Sequence, residues 1–191
     1  MTSDTNIIIT PETELESKII SDPRIQEGFE YGKVRTGHPE GTVINHVHAI
    51  LNYIDFQGFD GYRTDLRVIA LLHDSFKYMK KIDPSNRHEF LAAEFYKELT
   101  DDERIEKVLH YHDTPWIIYK NIKSGQELNE EKFKNTFSQL DLELFTRFLY
   151  CDNCLRENDT AIWFEQTVHE QQLSNCPNGY ISEKLLTGWD K

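Results

Sequence analysis

Eight histidines are spread unevenly along this 191-residue chain, and several stand where imidazoles and carboxylates could act together. The stretch Leu66-Arg-Val-Ile-Ala-Leu-Leu-His-Asp-Ser-Phe-Lys77 is an apolar run that ends in a histidine, an aspartate and then a lysine. Burying His73 and Asp74 is costly unless they are paired or bind a cation. A neutral imidazole beside a carboxylate is a natural ligand pair for a divalent metal. His46 stands among Val43, Val47 and Ile50. His88 falls in the first turn of a later helix, and His110 and His112 end the helix after it, followed by Asp113. Asp152 sits inside an apolar segment between Phe148 and Leu155. Singly, each has an ordinary role: a histidine near a helix end complements the dipole, and Asp152 could pair with Arg156 one turn on. Jointly, imidazoles and carboxylates recurring on the inward sides of consecutive helices are how helical folds build buried metal sites.

The elements that would carry these groups are helical throughout, because no segment shows the period-two alternation of a half-buried strand. Residues 68–72 are all apolar, too many in a row for one exposed amphipathic face, so a helix over about 64–79 is expected to be buried on nearly all sides. The spacing predicts a helical region over Pro11–Tyr31 broken at Asp22-Pro23, a turn-rich loop over Gly32–Gly41, and a helix from an N-cap at Thr42 through Ile54. Asp83-Pro84-Ser85 opens the next helix, and Thr100-Asp-Asp-Glu103 has the form of a capping box. Pro115 sets off a short aromatic segment, Trp116 to Tyr119. Leu128–Leu140 is expected to be helical, amphipathic and exposed, Asp141–Asn158 helical and apolar, and a last helix covers about 160–173. The aromatic and leucine residues of the tail from Ser174 would serve intramolecular packing or a homodimer contact equally well.

The length suits one domain with a substantial core. A net charge of −12 argues against a general nucleic-acid or anionic-membrane binder, since such partners call for a basic surface. It leaves room for a small phosphorylated ligand in a locally basic pocket. Cys151, Cys154 and Cys176 make no disulfide framework, and a lone C-x-x-C without a second pair is weak ground for zinc. No run is long enough to span a bilayer, and the first ten residues lack the basic start and apolar stretch of a secretory signal. A cytoplasmic protein is the expectation.

Three segments together resemble the HD-domain superfamily of metal-dependent phosphohydrolases: His38-Pro-Glu-Gly-Thr-Val-Ile-Asn-His46, Leu71-Leu-His-Asp-Ser-Phe-Lys77 and Tyr150-Cys-Asp-Asn-Cys-Leu-Arg156. The family pattern is a first histidine, a His-Asp pair and a distant aspartate, and His46, His73, Asp74 and Asp152 fall on those positions. The first segment also looks like the HD region attached to some tRNA nucleotidyltransferases, an activity for which this chain has no room. The resemblance covers about residues 30–160. It implies an all-α, single HD-like bundle: an N-terminal arm and helix over 1–30, a metal-binding core over 31–160, and a C-terminal helix and tail over 161–191. Many HD proteins hold a second metal through two further histidines, and His88 and His112 lie where those would be. Residues two apart on a helix face different sides, so only one of His110 and His112 should face the site. His112 is preferred, with Asp113 expected to orient its other nitrogen. By the same spacing His48 should point away from His46. His38 would lie near the mouth of the site, and His169 on the surface.

The resemblance implies one or two divalent ions, with manganese, magnesium, cobalt, zinc, nickel and iron indistinguishable from the residues. In the two-metal version Asp74 bridges, with His46, His73 and Asp152 on one ion and His88 and His112 on the other. Such a centre generates hydroxide near neutral pH and polarises a phosphoryl oxygen, so the expected reaction is in-line attack of metal-bound hydroxide on a small phosphate ester, a nucleotide being the first candidate. Catalytic roles fall to Asp74 and Lys77, and substrate binding to Lys77 and Arg35, with Arg87 a further cation. Lys77 could instead join Lys80 and Lys81 as a solvated helix end. Two other readings stay open: a di-iron HD-type oxygenase, and a non-catalytic metal-binding regulatory protein.

Overall fold

The computed structural model describes residues 8–36, 39–174 and 177–189. His38 and Cys176 lie outside them. The protein is all-helical, with no strand among the described residues; one isolated antiparallel bridge, Gly32 to Thr42, closes the base of the loop between them.

Helix α1 (Glu14–Ser21) starts at Thr13, whose hydroxyl accepts from the Glu16 N–H. Helix α2 (Pro23–Phe29) is capped by Asp22 and begins with proline, so the Asp22-Pro23 break is also a start signal. Helix α3 (Val43–Gln57) follows the loop and ends at Gly58, whose φ of 78° favours glycine. Thr42 precedes it without a side-chain capping bond.

Helix α4 (Arg63–Leu72) stops well before the expected residue 79. The Ser75 hydroxyl donates to the Leu71 carbonyl at 2.6 Å and His73 Nδ1–H to the Ala70 carbonyl at 2.9 Å. Side chains therefore take up terminal carbonyls of the helix. The chain turns over residues 73–76 and continues as a 3₁₀ turn, Lys77–Lys81. Helix α5 (His88–Lys97) begins later than Asp83 suggested, because Asp83 spends its carboxylate on the Ser85 N–H and hydroxyl in a local turn. Helix α6 (Glu103–Tyr111) is capped by Asp102 rather than Thr100. Helix α7 (Thr114–Lys123) absorbs the aromatic segment, and α8 (Glu130–Phe137), α9 (Leu142–Asp152) and α10 (Asp159–Glu170) complete the bundle.

Helix α4 packs against α1, α3, α6 and α9. Leu66, Ile69, Ala70, Leu71 and Leu72 are all fully buried, which explains the unbroken apolar run. Its one buried cation, Arg67, meets the equally buried Glu16 at 2.9 and 3.0 Å. Helix α8 departs from expectation. It is amphipathic, but Phe133 and Phe137 are buried against Phe164, and Phe137 also against Phe145, so α8 lies on the core. The tail packs on its own chain: Glu165 accepts from Tyr150 Oη and the Ile181 N–H, and the Trp189 ring meets Tyr53 at 5.3 Å. Among the described residues no helix is long and apolar enough to cross a membrane.

Candidate metal centre

Five helices deliver the expected ligand residues to one place. His46 comes from the first half of α3, His73 and Asp74 from the end of α4, His88 from the first residue of α5, His112 from the end of α6, and Asp152 from the last residue of α9. His46, His73, His88 and His112 are each at most 3% exposed. Donor atoms of His46, His73 and Asp74 lie within 4.8 Å of one another, as do those of Asp74, His88 and His112. Asp74 is common to both groups. Asp152 Oδ1 stands 2.9 Å from His46 Nε2 and 3.6 Å from His73 Nε2. Asp74 Oδ1 stands 3.5 Å from His88 Nε2 and 3.9 Å from His112 Nε2.

The tautomers follow from the backbone. His73 Nδ1–H donates to Ala70 O, and His112 Nδ1–H donates to Leu109 O at 2.7 Å. In both residues the Nε2 lone pair is thus turned into the cluster, as metal ligation requires. The imidazoles meet edge to face, with ring centroids 5.2 to 5.5 Å apart along His46, His73, His112 and His88. Phe148, fully buried, lies 5.2 Å from His73 and supports it from below.

This donor set suits a cation better than a hydrogen-bonded core. Nε2 of His73, His88 and His112 are buried without a hydrogen-bond partner, and each such orphan costs about 1–3 kcal/mol. Three of them would consume a large part of the roughly 5–15 kcal/mol that stabilises a domain. A divalent ion in each of the two groups would satisfy all of them. Imidazole nitrogens with carboxylate oxygens suit zinc, iron, manganese and their neighbours in the first transition row.

Electrostatics keep the acids ionised. Burial opposes the charge of Asp74, but Lys77 and the surrounding imidazoles outweigh it and hold the carboxyl well below its usual range. Lys77 Nζ reaches Asp74 Oδ2 at 2.5 Å. Burial likewise opposes Asp152, and His46 and His73 outweigh it. Burial disfavours charged His112, yet Asp74 and Asp113 lift its pKa to about 9, so a metal ion taking its Nε2 would displace a proton from it.

A pocket of about 280 Å³ opens beside the cluster, lined by Tyr31, Lys33, Arg35, Glu40, His46, Asp74, Lys77 and Lys81, among others. Arg35 and Lys77 both line it. Arg87 points elsewhere, donating to Glu89 at 2.6 Å and lying over Phe90. His110 packs on the Phe90 ring at 4.0 Å, outside the cluster. His48 and His169 are exposed.

Several site residues were not anticipated. Glu40 buries its side chain, with Oε1 2.9 Å from the Arg156 guanidinium and 4.0 Å from His46 Nδ1. Lys33, Lys81 and Tyr31 line the pocket, Lys81 Nζ lying 4.7 Å from the Tyr31 ring centroid. A run of lysines after His-Asp is a signal for Lys81; Lys33 carries none beyond its place in the turn-rich loop, and Tyr31 none beyond its place just before that loop. Asp113 corrects an expectation. Its oxygens face the Nε2 edges of His88 and His112, at 3.4 and 3.8 Å, and not His112 Nδ1, which the Leu109 carbonyl occupies.

No family model, no curated protein and no solved structure matches this chain. What stands is a helical protein with a buried histidine and aspartate cluster that could hold a metal, an arrangement consistent with an HD-like site.

Proposed function

We propose that this chain is an HD-type metal-dependent phosphohydrolase acting on a small phosphate ester. The observation that carries the reading is the convergence of His46, His73, Asp74, His88, His112 and Asp152 beside a pocket lined by four cations, Lys33, Arg35, Lys77 and Lys81. His46, His73 and Asp152 would hold one ion and His88 and His112 the other, with Asp74 shared. When bound, the metal lowers the pKa of a water and polarises a phosphoryl oxygen as a Lewis acid.

The protein's own residues supply the rest. Lys77, held against Asp74, stands at the junction of cluster and pocket and would bind phosphoryl oxygens as their charge grows. Arg35, exposed on the rim, would take an outer oxygen of the phosphate, and its planar fork suits that geometry. Lys33 and Lys81 add positive potential within an acidic protein, which favours compact anions over polyanions. Glu40, held by Arg156, places a negative charge 4.0 Å from Nδ1 of the first imidazole. At about 280 Å³ the pocket lies just below the roughly 300–1,000 Å³ range of ligand sites, which supports a compact substrate such as a sugar phosphate or a nucleoside monophosphate.

The test is phosphate release from a panel of such esters by protein stripped with chelator and reloaded with manganese, cobalt, magnesium or iron. Metal-dependent release that Asp74→Ala abolishes is expected. A second reading draws on the same donors: a centre for two ions sharing one carboxylate also suits a di-iron oxygenase. Two irons per chain, oxygen consumption with a substrate and no phosphate release would favour it.

A further inference from the structure

Asp113 occupies the N-cap position of α7 yet does not cap it. An aspartate there ordinarily accepts from an N–H of the first helical turn, but its side chain makes no such bond. Nor, among the described residues, does it pair with a lysine or arginine. Instead Oδ2 lies 3.4 Å from His88 Nε2 and Oδ1 lies 3.8 Å from His112 Nε2. Those two nitrogens are buried and unpartnered. Asp74 Oδ1 approaches the same two atoms at 3.5 and 3.9 Å.

The two His88 separations, 3.4 and 3.5 Å, are those of donors around one ion, and the two His112 separations, 3.8 and 3.9 Å, lie a few tenths of an ångström beyond. Ligands at about 2.0–2.2 Å in a tetrahedral shell stand about 3.3–3.6 Å apart. The arrangement parallels the other half of the cluster, where Asp152 Oδ1 stands 2.9 and 3.6 Å from His46 and His73, except that Asp113 is more exposed and meets its two histidines through separate oxygens. Glu89 also groups with His88 and Asp113, but it stands on the outer side of His88. It lies nearest the outer nitrogen of His88, Nδ1, at 3.3 Å, and its other oxygen accepts from Arg87.

We propose that Asp113 is a carboxylate ligand of the second metal position, completing a seven-residue centre in which each ion is held by two histidines, a terminal aspartate and the shared Asp74. The inference rests on reading the cluster as a two-metal centre. It has a consequence that six ligands would not give. Both positions carry the same donors and charge, so the two ions should bind with similar affinity.

Manganese(II) titrated calorimetrically into chelator-stripped protein, with elemental analysis of the product, tests this without any turnover assay. The wild type should take two ions of comparable affinity. Asp113→Asn, with helical circular dichroism unchanged, should keep one and bind the other at least about tenfold more weakly. Asp113→Ser retains an N-cap residue and should show the same loss, which separates ligation from capping. Glu89→Gln should leave two comparable ions. Two unweakened ions in Asp113→Ser or Asp113→Asn, or loss of both ions from a folded variant, overturns the assignment of Asp113 alone. A wild type that takes fewer than two ions removes the two-metal reading, and Asp113 with it.

Discussion

Gly28 of α2 lies so close to Ser75 that a Cβ on it would fall 1.8 Å from the Ser75 carbonyl oxygen. Ser75 directly follows the His73-Asp74 pair, so this contact fixes the turn that aims both ligands. Only a residue without a side chain permits it. Gly28→Ala must push α2 off the turn, and an overpacking cost of about 1–3 kcal/mol is expected. Urea unfolding should show the loss, and metal affinity should fall with it. A variant as stable and as metal-competent as wild type would show that the turn tolerates displacement.

Asp74 is the one carboxylate common to both halves of the cluster. Asp74→Ala should therefore deplete both ions and all metal-dependent activity while leaving far-ultraviolet circular dichroism near that of wild type, because the helices do not depend on it. Elemental analysis and the spectrum together check this. Full activity in this variant would remove the functional reading.

His110 and His112 differ by two positions and face opposite environments: Nε2 of His112 points into the cluster, and His110 stacks on Phe90. His112→Ala should cost metal and His110→Ala should not. Elemental analysis of the two variants, purified alike, decides between them.

Lys77 touches Asp74 but offers no lone pair to a metal at neutral pH, and Asp74 raises its pKa against the opposing effect of burial. Lys77→Gln should keep metal content and lower phosphate-ester turnover by roughly a hundredfold, the scale of one lost electrostatic donor to a transition state. Arg35→Gln should act mainly through KM. Steady-state kinetics on the reloaded proteins separates the two.

Cys154 is buried, and burial, with the charge of Asp152, pushes its thiol up to about 12. An unfolded thiol ionises near pH 8.5. Above that pH the unfolded chain has lost the proton that the folded chain keeps, so stability falls as pH rises towards 12. The slope from this thiol is about 1.4 kcal/mol per pH unit. Urea unfolding of wild type and Cys154→Ala between pH 9 and pH 10.5 should show a shallower decline in the variant.

The amino-acid sequence by itself determined the helical class, because apolar residues recur at helical spacing and the breakers fall between the runs. It also placed His73-Asp74 at the end of a buried helix, and it required that only one of His110 and His112 face the site, since residues two apart on a helix cannot share a face, with His112 preferred but not fixed. Both are local properties. The end of α4 was less legible, because Ser75 and His73 bond back to backbone carbonyls and stop the helix where apolar spacing alone would continue it. The burial of α8 was hidden too: Phe133 and Phe137 form a short stripe whose partners Phe145 and Phe164 lie on other helices. Only the tertiary structure decided that Glu40 lies by His46, that Lys33, Lys81 and Tyr31 line the pocket, and that Asp113 turns towards His88 instead of capping its own helix. The physical reason is common to all of these. Helical periodicity states which face of an element is inward, whereas the meeting of groups tens of residues apart depends on how whole helices cross, and no local pattern encodes that.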